Sequence, residues 1–490
     1  MNLDTLFRQT AKSMKQQPAI MNQDGSCGLT YEGLDQAIDE VCRALKASGL
    51  QPKSCIGLNY DSGLDYIVLT YAIWRANAFV VPISTDTSHA EKCRILSEIA
   101  IYGMIGAPGT IHKLPLNMAS GVQVINGKYE FALLNPSRVH PEGFADINTA
   151  FLRFSSGTTS TAKGVVLSHQ TIFERIEAAN EVLKIVPGDK VVWLLSMAYH
   201  FAVSIVAYLT YGAAIILCRN QSGATVVTAT RLMQASIIYG APLHFEWMLQ
   251  DCRDSHHLTS VRFAIATTAA ARPNLSTRFR QKFGIPVNRA LGVIEVGLPC
   301  IDFDPIDSKE GAIGKLLPAY SLELRPVGND SEHTEIVLHG PGLFDAYYHP
   351  FARREDLSPG GWFSTGDVGE LDADGRLYIL GRIKEVINIG GMKVFPSDIE
   401  AALNNHPNVA ESCAYAHQHP VLGEVPYASV VLAGKNDIVS TQSLMQHCIK
   451  CLAKYAVPSQ IIIVSSLPRT ASGKLIRRES AHVAPLAGKS

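Results

Sequence analysis

The chain has no surplus of either charge. Its 43 lysines and arginines stand against 44 aspartates and glutamates, a formal net charge of -1. That balance gives no general electrostatic case for nucleic acid or an anionic membrane as partner. An internal repeat and a low-complexity tract are missing as well. Cysteine is thin: ten residues are spread from Cys27 to Cys451, the pattern of reduced thiols in a cytoplasmic protein rather than of a disulfide framework. The pair Cys448-x-x-Cys451 lacks a second pair and falls in an expected helix, so it reads as core filling rather than a metal site. The first residues, MNLDTLFRQTAKSMKQQ, hold no apolar run long enough for a signal peptide. One stretch, Trp193 to Cys218, has no Lys, Arg, Asp or Glu and is long enough to cross a bilayer. It is broken by Ser196, His200, Ser204, Thr210 and Gly212, however. It is expected to be a buried strand, a helix capped by Gly212 and a second strand, with no membrane span.

What is present belongs to a large globular protein. At 490 residues, 47% of them hydrophobic and 18% charged, the chain is too long for one ordinary core and too apolar for disorder. Tyr31, Leu34, Ile38, Val41 and Leu45 recur at helical spacing and Gly49 closes that helix. Expected strands at 54–60, 79–83 and 102–105 alternate with expected helices at 64–76 and 91–99. The same rhythm returns beyond residue 170. Such alternation predicts an α/β fold of largely parallel sheets with helices on both faces. From Gly311 the pattern turns to short strands with Gly and Pro turns, read as a small antiparallel, β-barrel-like part. The last hundred or so residues read as a compact α+β unit with helices near 397–405 and 440–454.

One loop stands out. Ser155, Ser156, Gly157, Thr158 and Thr159 open the run SSGTTSTAKG, which ends with Lys163 and Gly164 and lies between two expected strands. Glycine lets the backbone approach closely, amide hydrogens and hydroxyls donate to anions, and the lysine supplies a point charge, a make-up that suits polyphosphate. The usual Gly-x4-Gly-Lys-[Ser/Thr] spacing cannot be aligned on it. On its own the run also fits a flexible Ser/Thr linker.

Further motifs follow in a fixed order: Gly292-Val293-Ile294-Glu295, Ser364-Thr365-Gly366-Asp367, GRIKEVINIGGMKVFPSDIE from Gly381 to Glu400, and PRTASGKLIRRE from Pro468. With LTYEGL at Leu29 to Leu34, the set resembles the acyl-adenylate-forming superfamily over nearly the whole chain, closest in motif style to acyl- and aryl-CoA ligases. The resemblance implies a two-step reaction. A carboxylate attacks the α-phosphate of ATP to give acyl-AMP and pyrophosphate, then a thiol displaces AMP to leave a thioester. The thiol is that of CoA or of a carrier-protein phosphopantetheine. A weakly active paralogue that binds nucleotide or acyl group is the reading from another class.

The resemblance also assigns roles. The Ser/Thr loop and Lys163 take the phosphates, and Glu295 holds Mg²⁺, a hard ion that favours carboxylate oxygen. Asp367 accepts from the ribose hydroxyls, and Arg382 contacts ribose or phosphate. Lys474 offsets the charge that builds up between carboxylate and α-phosphate. Gly292 serves nucleotide and acid alike. His200 closes the carboxylate end of an acid pocket with Phe201, Ser204, Thr268 and Gly292; the alternative for His200 is a hydrogen-bonded core histidine. Lys384 takes the hinge position, and Gly390 and Gly391 the thiol-step loop. The expected organisation is a large domain over 1–381 and a small mobile domain over 382–490, with the active site at their junction.

Departures cluster on the nucleoside side. Ser160 and Ala162 replace a common glycine and proline, Leu291 an adenine-stacking aromatic, Ile294 a threonine, and Thr268-Ala269-Ala270 a glycine-rich turn. The charged residues all remain, so activity is expected. The stretch Tyr199-His200-Phe201-Ala202 lacks the aspartate that would pair with an α-ammonium, which disfavours an ordinary α-amino acid.

Overall fold

A computed structural model describes residues 1–154, 163–253, 257–267, 274–305, 311–327, 330–390, 392–434, 439–469 and 475–477. They form two compact units. The described residues of the first lie within Met1–Ser155, Thr161–Ser321 and His339–Phe363, those of the second within Leu322–Leu338 and Ser364–Ser490.

The first unit carries two mixed sheets with parallel centres. In one, Thr149–Phe154, Phe79–Pro82, Cys55–Asn59 and Gly103–Gly106 lie side by side and parallel. In the other, Pro18–Asn22, Ala214–Leu217, Lys190–Trp193, Ile237–Gly240, Phe263–Ala266 and Asn288–Val293 run parallel in that order. Most of these strands are buried on both faces, which is why they read as short continuous apolar runs rather than alternating ones; Asn288–Val293, at the end of the parallel set, alternates instead. The helix Tyr31–Ala47 starts where Thr30 accepts a hydrogen bond from the Gly33 amide, and it buries Leu34, Ile38, Val41 and Leu45 as the spacing predicts. The charge-free stretch is core. Its strand is followed by a short helix Met197–His200, then Ile205–Thr210, and Gly212 turns the chain at φ +84°. Among the described residues no helix is long and apolar enough to cross a membrane.

The barrel-like part is corrected. Gly297–Ile301 and Ala312–Leu316 extend the second sheet antiparallel, and no closed barrel forms among the described residues. Short Gly-punctuated strands predict antiparallel pairing but carry no information on closure, which depends on stagger and tilt.

In the second unit the long hairpin Val409–His419 and Gly423–Leu432 is joined by Gln460–Ile463 and by the small hairpin Ile387–Ile389 and Met392–Val394. The helices Pro396–Asn404 and Thr441–Cys451 cover it, with Ile387, Ile399, Leu403, Val430, Leu444 and Cys448 in the core. Cys448 is thus buried. Cys451 is exposed, its Sγ 3.8 Å from His447 Nε2.

Three histidines of the first unit, His169 buried and His140 and His244 partly buried, are held neutral. Burial pushes His140 and His244 down to about 4 and His169 down to about 3. The His169 Nδ1 accepts from the Leu3 amide at 3.2 Å. An unfolded histidine binds its proton near pH 6.5, so this stability is present above that pH and is lost as pH falls towards 4, at most about 1.4 kcal/mol per pH unit for each. The melting temperature should therefore fall between pH 6.5 and 4. His169→Gln, which keeps an acceptor for Leu3, should flatten that dependence; an unchanged slope would contradict the assignment.

Candidate active site

The Ser/Thr loop spans the tip of an antiparallel hairpin. Thr149–Phe154 pairs with Gly164–Ser168, and Phe154 lies opposite Gly164. Ser155 to Ala162 themselves lie outside the described residues, as do Thr268 to Ala270, Gly391 and Lys474. Just inside the hairpin, Lys163 Nζ sits 4.3 Å above the centre of the Tyr347 ring. The Tyr347 hydroxyl donates to Glu295 Oε1 at 3.0 Å. Tyr347 can bridge them because its short strand, Ala346–Tyr347, pairs with the strand that follows the lysine, Tyr347 opposite Val165. Burial first, then the neighbouring Glu295 charge, raises the Tyr347 phenol, so it stays protonated and donating.

Glu295 lies in the turn between Asn288–Val293 and Gly297–Ile301. That turn is pinned by Arg175, whose guanidinium donates to Ile294 O at 3.0 Å, Glu295 O at 2.9 Å and Gly342 O at 2.6 Å. Arg175 is only 2% exposed, and burial pushes it down to about 10. The approach is close. A Cβ on Gly342 (φ +69°) would lie 2.5 Å from Arg175, and one on Gly297 (φ +114°) 3.0 Å. Only glycine meets both the left-handed backbone and the packing there. Neither Arg175 nor Tyr347 figures among the residues marked in the sequence. Arg175 had a signal: it is the one cation in the buried stripe Ile172, Arg175, Ile176, Ala179, Leu183.

The residues expected around the acid have unlike surroundings. His200 ends the helix Met197–His200 and is partly buried. The Ser204 hydroxyl is turned back onto the His200 carbonyl. Phe201 is shut into an aromatic cluster, its ring 5.7 Å from Tyr66, 5.9 Å from Phe151, 6.0 Å from Trp74 and 6.1 Å from Tyr71. Gly292 is exposed, and a Cβ there would make ordinary contacts, 3.7 Å to Thr267 Oγ1 and 3.9 Å to Gly297 O.

In the second unit, Asp367 and Arg382 face each other across paired strands. Arg382 Nε lies 2.8 Å from Asp367 Oδ1, and the carboxylate is buried while the guanidinium is half-exposed. Gly366, at φ +73°, donates its amide to Glu335 Oε1 at 3.0 Å, and Thr365 Oγ1 accepts from the Asp367 amide at 3.0 Å. Lys384 lies in the turn Ile383–Glu385. Gly390, at φ +56°, tips the small hairpin and donates to Leu422 O at 2.9 Å. The flanks of Lys474 are anchored. Arg469 and Leu475 pair as a bridge, and Arg477 holds Glu385 at 3.0 Å and Glu400 at 2.9 Å.

Residues 7–348 match the family described as AMP-binding enzyme, and residues 398–474 match the AMP-binding enzyme C-terminal domain. The chain belongs to this family of acyl-adenylate-forming enzymes. It is 26% identical to the oxalate–CoA ligase of Arabidopsis thaliana over 97% of both chains. It is 31% identical to the 2-succinylbenzoate–CoA ligase of Bacillus velezensis over 69% of this chain and 70% of that one. The O-succinylbenzoate CoA synthetase of Bacillus subtilis, solved with its acyl-adenylate intermediate, shares the fold with a TM-score of 0.83, at 22% identity and 98% coverage of each chain.

Tyr347 positions the carboxylate without needing to touch substrate. Tyr347→Phe keeps the ring under Lys163 but removes the hydrogen bond to Glu295, an interaction with a charged group worth about 1.5–3 kcal/mol. The Mg²⁺ concentration for half-maximal activity should rise at least several-fold, with the melting temperature little changed. An unaltered Mg²⁺ dependence would show that Tyr347 is structural only.

Proposed function

We propose that this chain activates a carboxylic acid with MgATP as acyl-AMP, releasing pyrophosphate, and passes the acyl group to the thiol of CoA. It is an AMP-forming acid–thiol ligase. The observation that carries the reading is the tether of Lys163 and Glu295 through Tyr347 at the base of the Ser/Thr hairpin. Lys163 and the residues Ser155 to Thr159 hold the phosphates. Glu295 fits Mg²⁺: one carboxylate beside a phosphate loop suits an ion that keeps several waters and shares phosphate oxygens. Bound there, the ion would offset charge on the phosphates.

Asp367 accepts from the ribose, and Arg382 lies against its carboxylate, Nε 2.8 Å from Oδ1. His200 marks the carboxylate end of the acid site, and Gly292 leaves room beside Thr267 for the acid. Lys474 stabilises charge in the first step, and Gly390 and Gly391 line the route of the thiol in the second, the small domain from Arg382 onward swinging about Lys384. A carrier-protein phosphopantetheine presents the same thiol arm, but relatives named as CoA ligases favour CoA. All ten cysteines are free, which supports a reducing, cytoplasmic setting.

Pyrophosphate exchange with a panel of acids tests the first step. Oxalate and 2-succinylbenzoate are the first to try, being named for relatives and each carrying a second acidic group. A wild-type protein that exchanges label with no acid would overturn the reading. Lys474→Ala should depress exchange by a factor on the order of 10²–10³, the usual cost of a lost preorganised charge, yet leave thioester formation from supplied acyl-AMP largely intact. Gly391→Trp should do the reverse by blocking the thiol. Equal damage to both half-reactions in folded variants would contradict the division of labour.

A further inference from the structure

Arg153 has no task in the chemistry so far. It is the penultimate residue of the strand Thr149–Phe154 and precedes the Ser/Thr loop by a single residue. Strand alternation puts it on the face of Phe151, whose ring packs on Trp74 and Phe201 at 5.2 and 5.9 Å. Leu152 and Phe154 point into the opposite core. The groups that act on its charge are, in order, the Tyr66 and Tyr199 phenols, Arg175 and the Glu295 carboxylate. None of the described residues forms an ion pair or a side-chain hydrogen bond with its guanidinium. Glu295 acts on it from a distance, and its Oε1 accepts from Tyr347. Burial pushes Arg153 down to about 10. Beside it, the Tyr66 hydroxyl is buried with no hydrogen-bond partner among the described residues. Tyr199, next to His200, reaches Thr87 Oγ1 at only 3.5 Å.

A partly buried cation with no counter-charge, and a buried phenol with no acceptor, among the described residues are each costly. They are costly in the same place, and one anion that accepts from both would relieve both. We propose that Arg153, with Tyr66 beside it, binds a second carboxylate on the acid substrate, and so selects short dicarboxylic acids over their monocarboxylic counterparts. This rests on the ligase reading above. The reacting carboxylate is the poorer fit for Arg153. A fixed ion pair would stabilise the nucleophile in the ground state and slow its attack, whereas a grip on the far end contributes binding and orientation without that penalty.

The test uses the full-length enzyme and acids matched in size: succinate against butyrate, and 2-succinylbenzoate against 4-oxo-4-phenylbutanoate. In pyrophosphate exchange, wild type should favour the doubly anionic member of a pair. Arg153→Met should lower kcat/KM for that member by about 10- to 100-fold, the range for a lost charged hydrogen bond, and leave the monocarboxylic member nearly unchanged. Arg153→Lys should keep part of the preference. Equal losses on both members would assign Arg153 to the reacting carboxylate, to phosphate or to packing, and overturn the proposal; so would a wild-type preference for the monocarboxylic acid. Should wild type exchange with no acid at all, the ligase reading fails, and the Arg153 site is judged by melting temperature with succinate. A rise in wild type that Arg153→Met abolishes supports an anion site, and no rise overturns it.

Discussion

The buried guanidinium of Arg175 is the constraint on which the first unit's chemistry depends. It donates to three backbone carbonyls from two separate parts of the chain, Ile294 and Glu295 in one and Gly342 in the other, and fixes the turn that presents Glu295. Loss of such a group strands several buried acceptors at once, each costing roughly 1–3 kcal/mol. The cost of burying the cation is met by carbonyl dipoles instead of a carboxylate. That leaves the Glu295 side chain to Tyr347 and to its own task.

From that turn the arrangement extends outward. Tyr347 is brought to Glu295 by the strand pairing that also places Lys163, so one local ladder sets the spacing between this cation and this carboxylate. A rotation of the Tyr347 ring would disturb both. The departures Leu291 and Ile294 sit on this frame without breaking it. Leu291 keeps its strand pairing opposite Cys300, and the part of Ile294 that is held is its carbonyl.

The second unit solves a similar problem with different means. Asp367 lies across a strand pair from Arg382, which gives a buried carboxylate a cationic partner at short range. The lysine motif is secured on its far side by Arg477, which spans Glu385 and Glu400. Two carboxylates around one buried guanidinium raise its pKa well above the usual value, so this anchor stays charged at any physiological pH. It ties the last residue of the turn Ile383–Glu385, the helix Pro396–Asn404 and the segment after Lys474 together.

The amino-acid sequence by itself determined the α/β rhythm, the helix Tyr31–Ala47 with its cap, the buried nature of the charge-free stretch, and the family through its ordered motifs. These rest on local periodicity, glycine turns and short motifs, all of which are properties of contiguous residues. Only the tertiary structure decided that Phe201 belongs to an aromatic core, that the strands after Gly311 stay open, and that Arg175 and Tyr347 hold Glu295 in place. Each of these depends on residues far apart in the chain meeting in space. Arg175 and Glu295 are joined through a helix, a turn and a loop whose common distance no spacing rule encodes, and an arginine on an apolar stripe reads locally as an irregularity until its three carbonyls arrive.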